Sequence, residues 1–285
     1  MMFPGYLWQH CAEKIILLYY IIERKEVPMK IFGIDTSKYQ GTIDWAKAKA
    51  GGVKFAMLKA VSTNRTGLYI DPFFEKNYAE CKRLGIPVGV YYYTYAKDKV
   101  YADKELALLK KAITGKKFEF PVVVDVEDNL LKPLSKAALT DLVEYAVKTI
   151  EGWGCYAMVY TYLYYSRTEL DMNRLANYDL WIAHYAAACG YKGTHGMWQY
   201  SSSGSVPGVS GRCDMNYAYK DYPAIIKGAG LNGYGKAKPA TAAPNTADDS
   251  LWAADGPFTI AQATGKDKEE LKALCEEKRL HVTRG

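Results

Sequence analysis

The chain has 285 residues, with 37 basic and 31 acidic side chains and a formal charge of +6. Apolar residues make up 49% and charged residues 24%, which excludes disorder for most of the chain and leaves length for one large domain, with or without a small second one. The longest apolar run, Ile15 to Ile22, falls far short of the roughly 20 residues that span a bilayer, so no stable membrane insertion is expected.

Residues 1–28 do not read as an export signal, because Glu13 and Lys14 precede the apolar run, charges follow it, and no small-residue cleavage site is present. They are expected to be a leader outside the fold. Lys25-Glu26-Val27 can be encoded as a purine-rich ribosome-binding sequence, which points to a start at Met29. Strand-like segments then follow in order at Ile31 to Asp35, Val53 to Ala60, Ile86 to Tyr93 and Phe120 to Glu127. Further strands are expected at Cys155 to Tyr160, Leu180 to Tyr185, Gly196 to Ser201 and within Gly208 to Tyr217. Helices fit between the early strands at Asp44 to Ala50, Asp71 to Leu84, Asp98 to Ile113 and Ser135 to Gly152.

Alternating strands and helices imply parallel βα units. The connections Ala186 to Thr194 and Ser202 to Pro207 are too short and polar for packed helices. The pattern therefore predicts an α/β fold, an irregular (β/α) barrel over 29–228, with about five βα units and three further strands. Residues 229–250 are rich in Gly, Ala, Pro, Thr and Asn and read as a linker. Residues 251–285 read as a small βαβ-like unit, with Phe258, Ile260, Leu271, Leu274, Leu280 and Val282 on one apolar side. A unit of this size rarely folds unaided, so two copies are expected to pair in a homodimer.

The six cysteines, Cys11, Cys81, Cys155, Cys189, Cys213 and Cys275, form no CxxC pair, so no structural zinc site is expected and folding in a cytoplasm is. No catalytic metal or other cofactor is expected either, since His184 and His195 lack regular ligand spacing. The basic stretch Lys97 to Lys117 is interleaved with acids and carries Leu106, Leu109 and Ile113 at helical spacing, which marks a solvated helix face and no nucleic-acid site.

In a parallel barrel the working residues sit at the C-terminal ends of the strands. Those ends carry Asp35, Lys59, Tyr91 to Tyr93, Asp125, Glu127, His184, Tyr185, Trp198 to Tyr200, Asp214 and Asn216. Acids and aromatics on one rim suit glycoside hydrolysis. Asp125 and Glu127 are two apart, so both face the same side of a strand. Apolar neighbours and a second carboxylate both resist ionisation, so one of the pair can stay protonated as a general acid. The alternative is a structural ion pair with a lysine such as Lys59. Asp35 and Asp214, each equally readable as a turn residue, would complete a ring of four carboxylates.

With these residues in place, the sequence resembles the family 25 glycoside hydrolases, lysozymes that cut peptidoglycan as N-acetylmuramidases. The matching motifs are GIDTSKYQGTIDW (Gly33 to Trp45), KFAMLKA (Lys54 to Ala60), GIPVGVYYYTYA (Gly85 to Ala96), PVVVDVE (Pro121 to Glu127), LWIAHY (Leu180 to Tyr185), MWQYS (Met197 to Ser201) and GRCDMNYAY (Gly211 to Tyr219). The resemblance implies Glu127 as general acid, Asp125 as its partner steadying the substrate's acetamido group, and Asp35 and Asp214 as further acids of the groove. It also implies a sugar site lined by Tyr92, Trp198 and Gln199, and Lys59, Tyr160 and Tyr185 are expected to join them. The sequence departs from the family in Val61, Ser62 and Thr63 after Ala60, and in Tyr93 at a position where the family often has histidine.

The expected partner is bacterial peptidoglycan. Without a recognisable signal, the enzyme would be made in the cytoplasm and reach the wall through a lysis pore, as endolysins do, or by non-standard secretion. The rival readings are a non-catalytic wall-binding protein on the same barrel and a barrel glycosidase for another glycan.

Overall fold

The computed structural model describes residues 30–235. Among these described residues, nine strands form one sheet: β1 Ile31–Thr36, β2 Phe55–Asn64, β3 Gly67–Ile70, β4 Val88–Tyr93, β5 Val122–Asp125, β6 Ala157–Tyr162, β7 Asp179–Ala183, β8 Met197–Gly204 and β9 Cys213–Ala218. Six helices accompany them: α1 Trp45–Ala50, α2 Phe74–Arg83, α3 Lys99–Ile113, α4 Lys136–Gly152, α5 Leu163–Thr168 and α6 Tyr222–Gly228. The sheet order is β1-β9-β8-β7-β6-β5-β4-β2-β3, and β1 also pairs with β2. Eight strands thus close into a barrel, and β3 hangs off β2 as an antiparallel hairpin partner.

The expected architecture holds. Helices follow the strands from β1 to β6, and the last three strands close the barrel with no helix between them. The β3 hairpin and the short α5 and α6 are additions that the sequence pattern did not register. Helix starts follow side-chain chemistry. Asp44, Asp98, Ser135 and Asp221 each accept a backbone N–H from the first turn of α1, α3, α4 and α6. Along α4, Leu139, Val143, Ala146, Val147 and Ile150 recur at helical spacing and are buried against the barrel.

The strand period of two divides the sheet into an outer and an inner face. On β4, Val88, Val90 and Tyr92 join the outer core, and Tyr91 joins the inner one. Close to the base, Phe55 and Phe120 stack with centroids 4.3 Å apart. Gly33 and Gly89 make room for this layer, since a Cβ on Gly33 would fall 2.4 Å from the Phe55 ring and one on Gly89 would fall 2.4 Å from Met57 Sδ. The barrel is therefore a packed core that opens only above the layer of Tyr91, Val123, Met158 and Trp181.

Residues 229–235, placed by composition in the linker, belong to the base of the barrel. Asn232 is buried and donates Nδ2 to the carbonyls of Phe118 (3.2 Å) and Phe120 (2.9 Å), and Leu231 and Tyr234 pack against the inner core. Composition identifies Gly-rich chain but is blind to a single buried amide that ties it down. The leader, the start at Met29, the rest of the linker and the paired C-terminal unit lie outside the described residues.

Candidate active site

The C-terminal ends of the strands surround an open cleft. Its lining includes Asp35 from β1, Lys59 from β2, Tyr91 and Tyr93 from β4, Asp125 and Glu127 from and just beyond β5, and Tyr160 from β6. Trp181 on β7, Tyr185 just after it, Gln199 on β8 and Asp214 on β9 complete the ring. All four expected carboxylates meet there. Asp214 arrives by an unexpected route. It lies at the start of β9, and it reaches the rim because β9 runs antiparallel to both β8 and β1. Glu127 lies two residues past the end of β5, so the strand itself carries only Asp125 of the pair.

Two expected sugar-site residues are elsewhere. Tyr92 faces the helix layer, where it packs with Val124, Leu139 and Val143, because its neighbours Tyr91 and Tyr93 take the inward positions. The pairing of Tyr93 with Asp125 places the same alternation on both strands. Trp198 also points outward, donating Nε1 to the His184 carbonyl at 2.8 Å and packing near Tyr200 and Tyr217. The tryptophan of the cleft is Trp181, edge-on to Tyr160 at 4.6 Å and to Tyr91 at 6.0 Å. Tyr91 and Tyr93 are inward because β4 pairs in register with β5, with Tyr93 opposite Asp125, and that pairing is not carried by β4's own residues.

The other expected residues, Lys59, Tyr160, Tyr185 and Gln199, line the cleft. Gln199 Oε1 accepts from Tyr160 Oη at 2.8 Å and from Tyr185 Oη at 2.9 Å, and its Nε2 donates to Asp35 Oδ2 at 2.9 Å. Asn216 donates to the same oxygen at 2.8 Å. Lys59 Nζ sits 5.4 Å from the Tyr91 ring centroid and 5.1 Å from that of Tyr93. Among the described residues no carboxylate lies within ion-pair distance of Lys59. The alternative of a structural Lys59 ion pair therefore does not account for the two acids of β5.

Electrostatics follow from this arrangement. Burial pushes the Glu127 carboxyl up to about 7, with Lys59 pulling the other way and the charges of Asp35 and Asp128 adding to the rise. Burial, then the Glu127 charge, holds Asp125 well above the usual carboxylate range. Asp125 Oδ1 is buried and has no hydrogen-bond partner. A buried acceptor without a donor is costly, and a ligand N–H aimed at it would remove that cost. Burial and the Asp35 charge push Asp214 up to about 8. The cleft thus holds acids able to donate a proton near neutral pH, an unsatisfied acceptor and aromatic walls. Among the described residues no group of three or more His, Cys, Asp or Glu side chains is arranged to hold a metal ion.

The Glycosyl hydrolases family 25 model matches residues 34–209, more than half of the chain. Uncharacterized protein YegX of Escherichia coli K12 is 30% identical over 196 residues, covering 65% of this chain and 68% of its own length. The autolytic lysozyme of Clostridium acetobutylicum is 30% identical over 190 residues, covering 65% of this chain and 54% of its own length. Among solved structures, the modular autolysin LytC of Streptococcus pneumoniae superposes with a TM-score of 0.60 at 26% identity, over 67% of this chain and 47% of that one. This chain therefore spans about half of the two autolysins it resembles. A bacterial lysozyme from Streptomyces coelicolor shares the fold, with a TM-score of 0.60 at 24% identity over 72% of this chain and 98% of that one. The matched stretch carries Asp35, Asp125 and Glu127, the structure adds Asp214 from the strand beyond it, and the chain belongs to glycosyl hydrolases family 25.

Proposed function

We propose that the protein is a peptidoglycan hydrolase, a muramidase that cleaves the β-1,4 bond between N-acetylmuramic acid and N-acetylglucosamine. The observation that carries this reading is the pair of β5 acids: Glu127, raised to about 7, beside Asp125 with a buried oxygen that lacks a donor. Glu127 protonates the leaving glycosidic oxygen. Asp125 Oδ1 accepts the N–H of the substrate's acetamido group and turns that group's carbonyl oxygen towards the anomeric carbon. The bond to the leaving sugar breaks as the carbonyl oxygen attacks, and water later opens the cyclic intermediate, returning its proton to Glu127. The anomeric configuration is then retained. Tyr93 and Tyr185 offer ring faces at the cleft wall for the sugars, and buried Tyr91 and Trp181 form its floor.

Reducing-end analysis of purified cell walls after digestion tests the reading. New reducing ends on N-acetylmuramic acid are expected, and new ends on another sugar, or none, would overturn it. NMR of the first product anomer distinguishes the route, with retention expected and inversion pointing to a water attacking directly.

The C-terminal unit, Leu251 to Gly285, is proposed to add wall targeting and homodimer pairing, with delivery to the wall by a lysis pore or non-standard secretion. Truncation after Gly235 should leave soluble fragments cleaved, weaken wall binding and yield a monomer. A full-length chain already monomeric by light scattering would refute the pairing.

A further inference from the structure

The Asp35 and Asp214 carboxyls are unequal in a way that an acid ring does not by itself require. They lie directly opposite each other on antiparallel β1 and β9, and both line the cleft. Like charges directly opposite on a sheet repel, and the repulsion grows where water is scarce. Such a pair near neutral pH therefore keeps one proton between its two carboxyls.

The surrounding donors decide which member holds it. Asp35 Oδ2 accepts from Gln199 Nε2 and from Asn216 Nδ2, at 2.9 and 2.8 Å. The Asn216 amide cannot turn round, and Gln199 is oriented alongside it. The Gln199 carbonyl end is held by the hydroxyls of Tyr160 and Tyr185. The Asn216 carbonyl end is held by Trp181 Nε1 at 2.9 Å, and an indole can only donate. Among the described residues no side-chain or backbone N–H is seen donating to the Asp214 carboxyl. Two fixed N–H groups stabilise a carboxylate and disfavour a neutral acid on the same oxygen.

We propose that Asn216, with Gln199, is a positioning residue that fixes Asp35 as the ionised member of a carboxylate pair and leaves the pair's single proton on Asp214. This deepens the muramidase reading and rests on it in one respect: β9 lies across the barrel from β5, so the wall facing Glu127 carries one charge where the residue count gives two. The groups that face the pair are Lys59 on β2, Tyr91 on β4, Asp125 and Glu127 at β5, Tyr160 on β6 and Tyr185 after β7, and Cys213 beside Asp214 points to the outer core. Burial raises both acids. For Asp35 the two amides and Lys59 pull the other way, whereas for Asp214 the Asp35 charge and then Glu127 add to the rise.

The test is a carbon-13 NMR titration of the full-length protein labelled at the aspartate carboxyls, with each signal assigned by single Asp→Asn substitutions. Near pH 6 the Asp35 carbon is expected at its ionised shift and the Asp214 carbon at its protonated shift, moving only towards pH of about 8. Two ionised carbons near pH 6, or the proton on Asp35, would overturn the proposal, and this needs no variant of the clamp. Asn216→Ala should narrow the difference between the two carbons. It should also lower kcat about tenfold and move the alkaline limb of the pH profile, with KM for wall fragments within about twofold. A variant that is merely less stable, with both carbon shifts and the pH profile unchanged, refutes the positioning role. The carbon shifts read the proton and not the product, so a failure of the muramidase reading remains separate from a failure of this one.

Discussion

The two ends of the barrel bury the same kind of residue and treat it in opposite ways. At the base, Asp179 accepts from Tyr156 Oη at 3.0 Å, Tyr222 Oη at 2.8 Å and Lys220 Nζ at 2.9 Å. Also at the base, Glu119 is met by Lys82, by Tyr234 Oη and by the Val88 N–H at 3.1 Å. Burial alone would raise Glu119, yet these partners bring it below the usual carboxylate range. At the mouth, Asp125 has an oxygen with no partner, and Glu127 and Asp214 are pushed up to about 7 and about 8. Burial is common to both ends, so the partners make the difference. A buried acid with a full set of donors holds the fold together, and one left short of donors keeps its proton for chemistry.

The largest expected effect breaks the mouth. Asp125→Asn and Glu127→Gln keep the side-chain shapes and should each lower kcat about a hundredfold or more while wall binding persists, read by reducing-end release and by co-sedimentation with walls. Near-normal lysis by either variant would remove the assignment. The next effect breaks the base. Asp179→Asn leaves the Lys220 charge without its partner, and a loss of about 2–3 kcal/mol is expected in urea unfolding, with kcat unchanged. A smaller contrast sharpens the boundary between inner and outer faces. Tyr93→Phe removes a hydroxyl that donates to Asp128 at 3.0 Å beside the cleft, and a severalfold fall in kcat/KM is expected. Tyr92→Phe, one residue away but facing the helices, should leave kcat/KM unchanged.

Most of the barrel was legible in the sequence because strand and helix periods are local. The first four helices and the starts at Asp44, Asp98 and Ser135 follow from patterns a few residues long, whereas the short α5 of the fifth βα unit does not. The acid ring was legible because strand ends converge on one rim. What was not legible is the phase of each strand. Choosing among Tyr91, Tyr92 and Tyr93 requires the β4–β5 register, and choosing between Trp198 and Trp181 requires knowing which face of β8 looks inward. Asn216 stood beside Asp214 in the sequence, yet its role depends on Trp181 and Asp35, which are 35 and 181 residues away in the chain. Glu105 shows the same limit. On a helix read as solvated on its charged face, it is fully buried and accepts from Thr94 Oγ1 at 2.6 Å and the Tyr95 N–H at 2.8 Å.

The contrast between mouth and base is tested most directly by the urea midpoint of Glu127→Gln against the natural protein at pH 8 and at pH 5. Burial raises Glu127 to about 7, so its contribution to stability is complete below the unfolded carboxylate range and is lost as pH rises through about 7. At pH 8 the natural protein holds an ionised, partly desolvated Glu127 that the variant lacks. The inactive variant is therefore expected to be the more stable at pH 8, by on the order of 1–3 kcal/mol. At pH 5 both folded side chains are neutral and only the unfolded glutamate is ionised, so the difference should shrink to below about 1 kcal/mol. A variant less stable than the natural protein at pH 8 would mean that Glu127 is held by partners as Glu119 is, and would contradict the account.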